Sequence, residues 1–500
     1  MSVSSVTSTT PSWIQALIDT RNQLVDLQRQ LGTGQKADSY AGLGLDRSLT
    51  IGLRAQLSTI AGYRQAITQV GVRLDVAQTA LSQMSDLAQS AKTTVMTSQY
   101  ILNNDGVTRD QKTVRSQFDQ ILSLLNSSAG ERYLFSGRAV DQPAVDTSAH
   151  ILEGDGLRAG LRQVIAERKL ADLGADGLGR LVLSAPTATS VSVAEDAVSP
   201  FGLKLAGVYS TLSGATVSGP SGTPAAATVD LGASNPNAGE VVKFSFVLPD
   251  GSHQDIALTA TTTSPPGKNQ FAIGATSDVT ATNLKAALTQ ALTTLGRTAL
   301  TAASAVAAGN DFFNADSANP PQRVAGPPFE SATALVDGTP ADTISWYTGD
   351  DDPDSARSTS VANVDRSLAV SYGMRASEQA LRLTVKDLAV FAAVTYSPSD
   401  PDGEASYAAL RQRIGAALAG QPGEQKISNI QGELAAVQTA LAAAKDRHQQ
   451  TDSTLQGLLQ SVEGAPTEEV AAKILALQTT LQASLQTSAM LLQTNLLKYL

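Results

Sequence analysis

Apolar positions in this chain fall on helical repeats toward both ends and lose that repeat in the middle. Trp13, Leu17, Thr20, Leu24, Leu27 and Leu31 follow a 4-3-4-3-4 spacing. That spacing lays them along one stripe of a helix over about Ser12 to Leu31, a seam of the kind that pairs with a second helix. Gly32 and Gly34 then break the pattern. Near the other end, Ile474, Leu477, Leu481, Leu485, Ala489, Leu492, Leu496 and Leu500 recur every three or four residues. Pro466 and Thr467, followed by Glu468 and Glu469, mark the start of that helix, with acids where the helix dipole favours them. Each stripe is too narrow to be a full core. The two helices are therefore expected to pair with each other and with copies from other chains.

Between them, Val70, Leu74, Ala77, Leu81, Met84, Ala88, Ala91 and Val95 hold a heptad through a stretch without proline, which predicts one long helix from about Asp46 to about Tyr100. A third helix is expected after the Asn103–Gly106 turn. Thr108 and Gln111 supply a capping box, Val114, Phe118, Ile121 and Leu125 a seam, and Gly130 a stop. Tyr133, Leu134 and Phe135 read as a short strand before a turn at Ser136-Gly137. Residues 140–200 are mixed. From 201 to about 345 proline, glycine, threonine and serine rise. There, Val241 to Leu248 and Asp255 to Thr261 read as two strands around a Pro249–Ser252 turn, and Asn283 to Leu295 as an amphipathic helix. Helical seams return at Met374, Leu381, Leu388 and Thr395, and at Leu434, Val437, Leu441, Ala444, His448, Thr451, Leu455 and Leu458.

The predicted fold is mainly α: a long antiparallel helical bundle or coiled coil formed by the N- and C-terminal regions, with an inserted β-rich α+β module. The segments are a terminal helix and connector (1–44), the first half of the bundle with a hairpin (45–200), the inserted module (201–345), the second half of the bundle (346–464) and the C-terminal helix (465–500). Residues 1–12 read as disordered.

Composition narrows the function. Of 500 residues only 16% are charged, 4% are aromatic and none is cysteine, and the net charge is −10. An acidic chain is a poor match for nucleic acid or an anionic membrane surface. Without cysteine there is no disulfide framework and no thiolate chemistry. No window of 18 apolar residues spans a membrane, and the N-terminus lacks the basic and apolar regions of a secretory signal peptide. His150, His253 and His448 are far apart and form no metal-ligand spacing. Gly154-Asp155-Gly156 with Gly160 lacks the Lys-Ser/Thr of a phosphate loop and reads as a turn. Asp350, Asp351, Asp352 and Asp354 lack the glycine and the terminal glutamate of a calcium loop and read as a solvated acidic turn. Ser136 and Ser213 have no base at nucleophile spacing. An enzyme, a cofactor and a metal site are accordingly not expected.

Three passages carry a resemblance. LQRQLGTGQKADSYAGLGLD at 27–46 is similar to the connector after the first helix of the bacterial flagellin superfamily, although Gln35-Lys36-Ala37 departs from its usual basic pair. GERYLFSGRAVDQPAV at 130–145 resembles a segment of the hook-associated junction proteins within that superfamily. LQASLQTSAMLLQTNLLKYL at 481–500 resembles their C-terminal helix. The resemblance implies a structural subunit of the bacterial flagellum at the hook–filament junction, with a filament flagellin as the alternative and a surface adhesin or hydrolase built on the insert as a third reading. It implies assembly with copies of itself and with neighbouring hook-associated protein and flagellin, an export chaperone, and an extracellular location reached through type III export without a cleaved signal peptide. The assembly interface would then be Trp13, Leu17, Leu24, Leu27, Leu31, Ile474, Leu477, Leu481, Leu485, Leu492, Leu496 and Leu500.

Overall fold

In a computed structural model, which describes residues 9–316 and 319–496 and only the backbone of 9–12 and 491–496, the heptad stretches form long helices. These are α1 (Thr9–Thr33), α2 (Arg47–Thr97), α3 (Arg109–Leu125), α4 (Ser148–Glu153), α5 (Leu161–Leu173), α6 (Ser277–Leu295), α7 (Thr301–Phe313), α8 (Gln379–Ala393), α9 (Gly403–Ala417), α10 (Ile427–Glu463) and α11 (Thr467–Leu496). The mainly α reading with a strand-rich insert holds. Helix α1 begins at Thr9, earlier than the disorder predicted for 1–12 allowed; Pro11 sits in its first turn, where no N–H is needed. The chain divides into two units, one of residues 1–70, 362–370 and 439–500, the other of 71–361 and 371–438.

In the first unit the N-terminal part of α2 lies antiparallel to the C-terminal part of α10. Arg54 pairs with Glu463 at 2.7 Å and Arg64 with Asp452 at 3.0 Å, so one helix ascends in number as the other descends. Leu53, Ile60 and Leu455 form a buried cluster that Leu57 and Leu459 flank. The predicted seam places Leu458 here; instead Leu459 faces the cluster and Leu458 is exposed. A helix of 3.6 residues per turn drifts off a strict seven-residue repeat, and near the helix end the drift moves the seam by one position. His448 is buried. Its Nε2 donates to the Val364 carbonyl at 2.7 Å, and its ring stacks on Tyr63 with centroids 5.4 Å apart.

In the second unit Leu74, Ala77, Leu81, Met84, Ala91 and Val95 of α2 are fully buried, as the heptad predicts. The capping box of α3 is formed: the Thr108 hydroxyl accepts from the Gln111 N–H and the Gln111 side chain accepts from the Thr108 N–H. Helix α3 ends at Leu125 rather than at Gly130. Gly130 lies in the turn between β1 (Ser128–Ala129) and β2 (Arg132–Tyr133), with φ +67°. The α8 seam is carried by Leu381, Val385 and Leu388; Met374 precedes the helix and Thr395 follows it.

The insert contains two four-stranded sheets. One has the order β3-β4-β7-β6 (Leu181–Ser184, Ser190–Glu195, Ala226–Asp230, Thr216–Ser221). The other has the order β10-β9-β8-β5 (Gln270–Ala272, His253–Thr261, Val241–Val247, Lys204–Ser210). The predicted hairpin is β8 and β9, and its alternation buries Val242, Phe244 and Phe246 on one face. Val191, Val193 and Val229 of the first sheet share one core with Phe244, Phe246 and Leu258 of the second and with Leu284, Leu288 and Leu292 of α6. The first sheet draws β3 and β4 from ahead of residue 201. Helix α7 leaves this core and packs on α5, α8 and α9, and the buried Trp346 indole donates to the Phe313 carbonyl at 3.0 Å. The inserted module is therefore tied into the rest of the second unit through β3, β4 and α7.

The predicted acidic turn is solvated, with Asp351, Asp352 and Asp354 exposed, and two arginines hold it in place. Arg375, 7% exposed, donates to Asp350 at 2.8 Å and to the carbonyls of Asp352 and Asp354 at 2.5 and 2.9 Å. Arg138 pairs with Asp352 at 2.6 Å and Asp354 at 2.5 Å. The same place knits three chain segments: the N–H of Asp350 donates to the Ser136 carbonyl, and that of Ala376 to the Phe135 carbonyl.

Candidate assembly surface

Helices α1 and α11 pack against each other in the first unit. They run antiparallel, the end of α1 meeting the start of α11 at Gly34 and Ala465, and Gln23, Asp26 and Leu27 line one groove with Lys473, Leu477 and Thr480. The pairing is set up at the connector. Gly34, at φ +68°, ends α1 in the left-handed conformation that glycine adopts without strain. Its carbonyl accepts from the Ala465 N–H at 2.9 Å, and the Lys36 N–H donates to the Glu463 carbonyl at 2.8 Å. The Lys36 ammonium donates to the Val462 carbonyl at 2.8 Å, placing a cation at the C-terminal, negative end of α10. Lys36 thus ties the connector to the end of α10.

On α1, Leu17, Thr20, Leu24 and Leu27 are half-buried, while Trp13 and Leu31 are exposed at 39% and 43%. On α11, Val470 and Ile474 are buried, and Leu477, Leu481, Ser484 and Ser488 are half-buried. Leu485 does not continue this line. It lies one position past Ser484, about 100° around the helix, and is exposed. Leu492 and Leu496 lie on the α11 backbone with side chains outside the described residues, and Leu500 lies outside the described residues. Two helices alone cover each other's stripes only in part. By contrast, the same kind of stripe at Leu74, Leu81 and Met84 of α2 is sealed.

A second apolar face was missed in the sequence. Ile14, Ile18 and Val25 are 50%, 45% and 57% exposed. At about 100° per residue they fall within about 40° of one another, roughly 120° around from the Leu17–Leu24 line. Their 4-7 spacing was readable but was outweighed by the stronger neighbouring stripe. The connector adds the exposed Leu45 and Tyr40, over which Arg54 sits at 5.5 Å, and the start of α2 adds the exposed Leu49 and Ile51. One charge, the exposed Arg21, sits on the Ile14–Ile18–Val25 line, three residues past Ile18 and four before Val25. Asp26 takes Arg29, and Lys473 holds the Glu469 carboxyl below its ordinary range by a hydrogen bond.

The remaining sequence candidates do other work. Asp155 accepts from the N–H groups of Leu157 at 3.0 Å and Arg158 at 2.7 Å, and pairs with the Arg158 side chain. The backbone donor of Arg158 and its guanidinium together hold the Asp155 carboxyl at about 2. This is the expected turn. Among the described residues no group of three or more histidine, cysteine, aspartate or glutamate side chains is arranged to hold a metal, and no helix is long and apolar enough to cross a membrane.

Residues 11–139 match the family model of the bacterial flagellin N-terminal helical region. The matched stretch runs through α1, its connector, α2, α3 and the β1–β2 hairpin. No curated protein matches the chain.

Proposed function

We propose that this chain is a structural subunit of the bacterial flagellum, a member of the flagellin superfamily that self-assembles through α1 and α11. The observation that carries the reading is the under-covered α1–α11 pair: both seams stay half-exposed and a further apolar line, Ile14, Ile18 and Val25, faces solvent. A lone two-helix pair gains little from such residues; stacked against copies, each buried leucine or isoleucine contributes on the order of 2 kcal/mol. Copies related head to tail continue along an axis rather than closing into a dimer. The flagellin-type N-terminal region supports the same reading. Within it, we assign the chain to the hook–filament junction, on the Tyr133–Gly137 passage and on the resemblance of 481–500. A filament flagellin, which the same N-terminal match fits equally, is the second reading. The non-enzymatic role, export without a cleaved signal peptide, an export chaperone and neighbouring hook-associated and flagellin subunits belong to this proposal. Electron microscopy of cells lacking the chain tests it. Hooks without filaments support a flagellar subunit of either kind, and a count of copies per flagellum then separates a short junction ring from a filament; intact flagella of normal length overturn both readings.

A further inference from the structure

The second sheet of the insert has an open stretch of edge. Strand β10 covers β9 only at Thr259, Ala260 and Thr261. The five residues His253–Ala257 pair with β8 on one side and, among the described residues, with no strand on the other. Neighbouring bonds show which way the backbone points. The Leu248 N–H donates to the Ser252 carbonyl and the Ala260 N–H to the Glu240 carbonyl, both at 2.8 Å on the β8 side, whereas the Thr259 N–H donates to the Asn269 carbonyl at 3.0 Å on the β10 side. Alternation along the strand then aims Gln254 and Ile256 at β8 and turns the N–H and C=O groups of His253, Asp255 and Ala257 to the open edge. The edge is ordered in advance: Arg413 of α9 donates to Asp250 at 2.7 Å and to Ser252 at 3.3 Å in the turn at its start. Such an edge accepts a further strand unless its side chains forbid it. Here His253 and Asp255 are exposed, two residues apart on one face. Lys243 donates to Asp255 at 2.8 Å and holds that carboxyl below its ordinary range, so it is ionised and able to accept.

We propose that β9 of a second copy of this chain pairs along this edge, antiparallel and centred on Gln254. In that register each His253 lies opposite the copy's Asp255, so an imidazole N–H meets a carboxylate on both sides of the two-fold axis. The outward N–H and C=O groups of the same two residues pair as well, about four backbone hydrogen bonds in all. Moving the register by two residues one way sets Asp255 against Asp255, and the other way His253 against His253. A parallel copy in register would do both. Only the antiparallel copy centred on Gln254 sets unlike partners against each other at both positions. The contact uses none of the residues of the α1–α11 surface, so it stands or falls without the flagellar reading. A few hydrogen bonds and two exposed charge pairs make a weak dimer in dilute solution, which calls for a test that traps it.

The chain has no cysteine, so one introduced thiol reports one position. In the proposed register Gln254 faces its own copy in a pair without backbone hydrogen bonds, where Cα atoms come to about 4.5 Å, within disulfide reach. Ala257, also exposed, ends about 20 Å from its copy and serves as the control. Both side chains lie outside the core, so neither exchange disturbs folding. The full-length chain, carrying Ile18→Asp to keep polymer out of the reaction, is oxidised mildly with glutathione disulfide, and covalent dimer is timed on non-reducing gels. Gln254→Cys is expected to dimerise at least about 10-fold faster than Ala257→Cys, because the thiols are held together before they react. Asp255→Asn added to Gln254→Cys weakens the acceptor that His253 meets and should slow trapping about 3-fold. Equal rates at the two positions, faster trapping in Asp255→Cys than in Gln254→Cys, or a rate that Asp255→Asn leaves unchanged overturns the proposal. Failure of the flagellar reading would leave the rapid trapping of Gln254→Cys in place, so the two are told apart.

Discussion

Ile18→Asp separates folding from assembly. Ile18 is 45% exposed on α1, so folding of the lone chain has buried only about half of it. Full burial of such a side chain contributes about 1.5–3 kcal/mol. Roughly 1 kcal/mol therefore remains to be gained at Ile18 when a copy covers it, and about 3 kcal/mol across Ile14, Ile18 and Val25 together. Aspartate removes the Ile18 share and places a carboxylate where a copy would desolvate it, with Arg21 one turn on as its nearest counter-charge, a further cost of about 2 kcal/mol. In the lone chain that carboxylate stays wet, and isoleucine and aspartate differ little in helix propensity. The critical concentration for seeded polymerisation, read by sedimentation, should then rise about 100-fold or more. The urea midpoint measured in parallel should move by no more than about 1 kcal/mol equivalent. Polymer at the wild-type critical concentration would refute the assignment of this face. A loss of several kcal/mol in the lone chain would show instead that Ile18 is part of an internal core.

Removing 481–500 should leave a soluble chain that does not incorporate into filaments, scored by sedimentation of the assembly mixture; normal incorporation contradicts the role given to α11. Arg375→Ala should cost about 3–5 kcal/mol in urea unfolding, because it strands the buried Asp350 carboxylate. Burial pushes the Asp350 carboxyl up, but the Arg375 guanidinium and the N–H groups of Asp352 and Arg138 outweigh it and hold it below its ordinary value. Its contribution is thus complete above about pH 4 and lost as pH falls through the folded-state value, so the acid limb of the stability curve should flatten in Arg375→Ala. Excision of 225–335 should destabilise the second unit, since it removes β7 from the first sheet and α7 from its packing on α5, α8 and α9; a cooperative transition at the native midpoint after excision would count against that packing.

The long helices α1, α2, α3, α8, α10 and α11, the Thr108–Gln111 cap, the β8–β9 hairpin and the pairing of α1 with α11 were legible in the residues, because each rests on local spacing: a period of 3.6 or 2, a cap, a turn; α4, α5, α7 and α9, without a clear seam, were not. Tertiary structure alone decided the phase of each seam at its ends. Leu458 gave way to Leu459, and Leu485 to Ser484, because a one-residue drift turns a side chain by about 100° and only the neighbouring helix selects which one it covers. It also decided that Arg138 and Arg375, 237 positions apart in number, close on one acidic turn. Nothing local distinguishes a carboxylate that water will solvate from one that a distant arginine will reach. The half-covered stripe of α1 and α11 lies between these cases: the chain's pattern states that the stripe must be buried, and one copy of the fold leaves part of it uncovered.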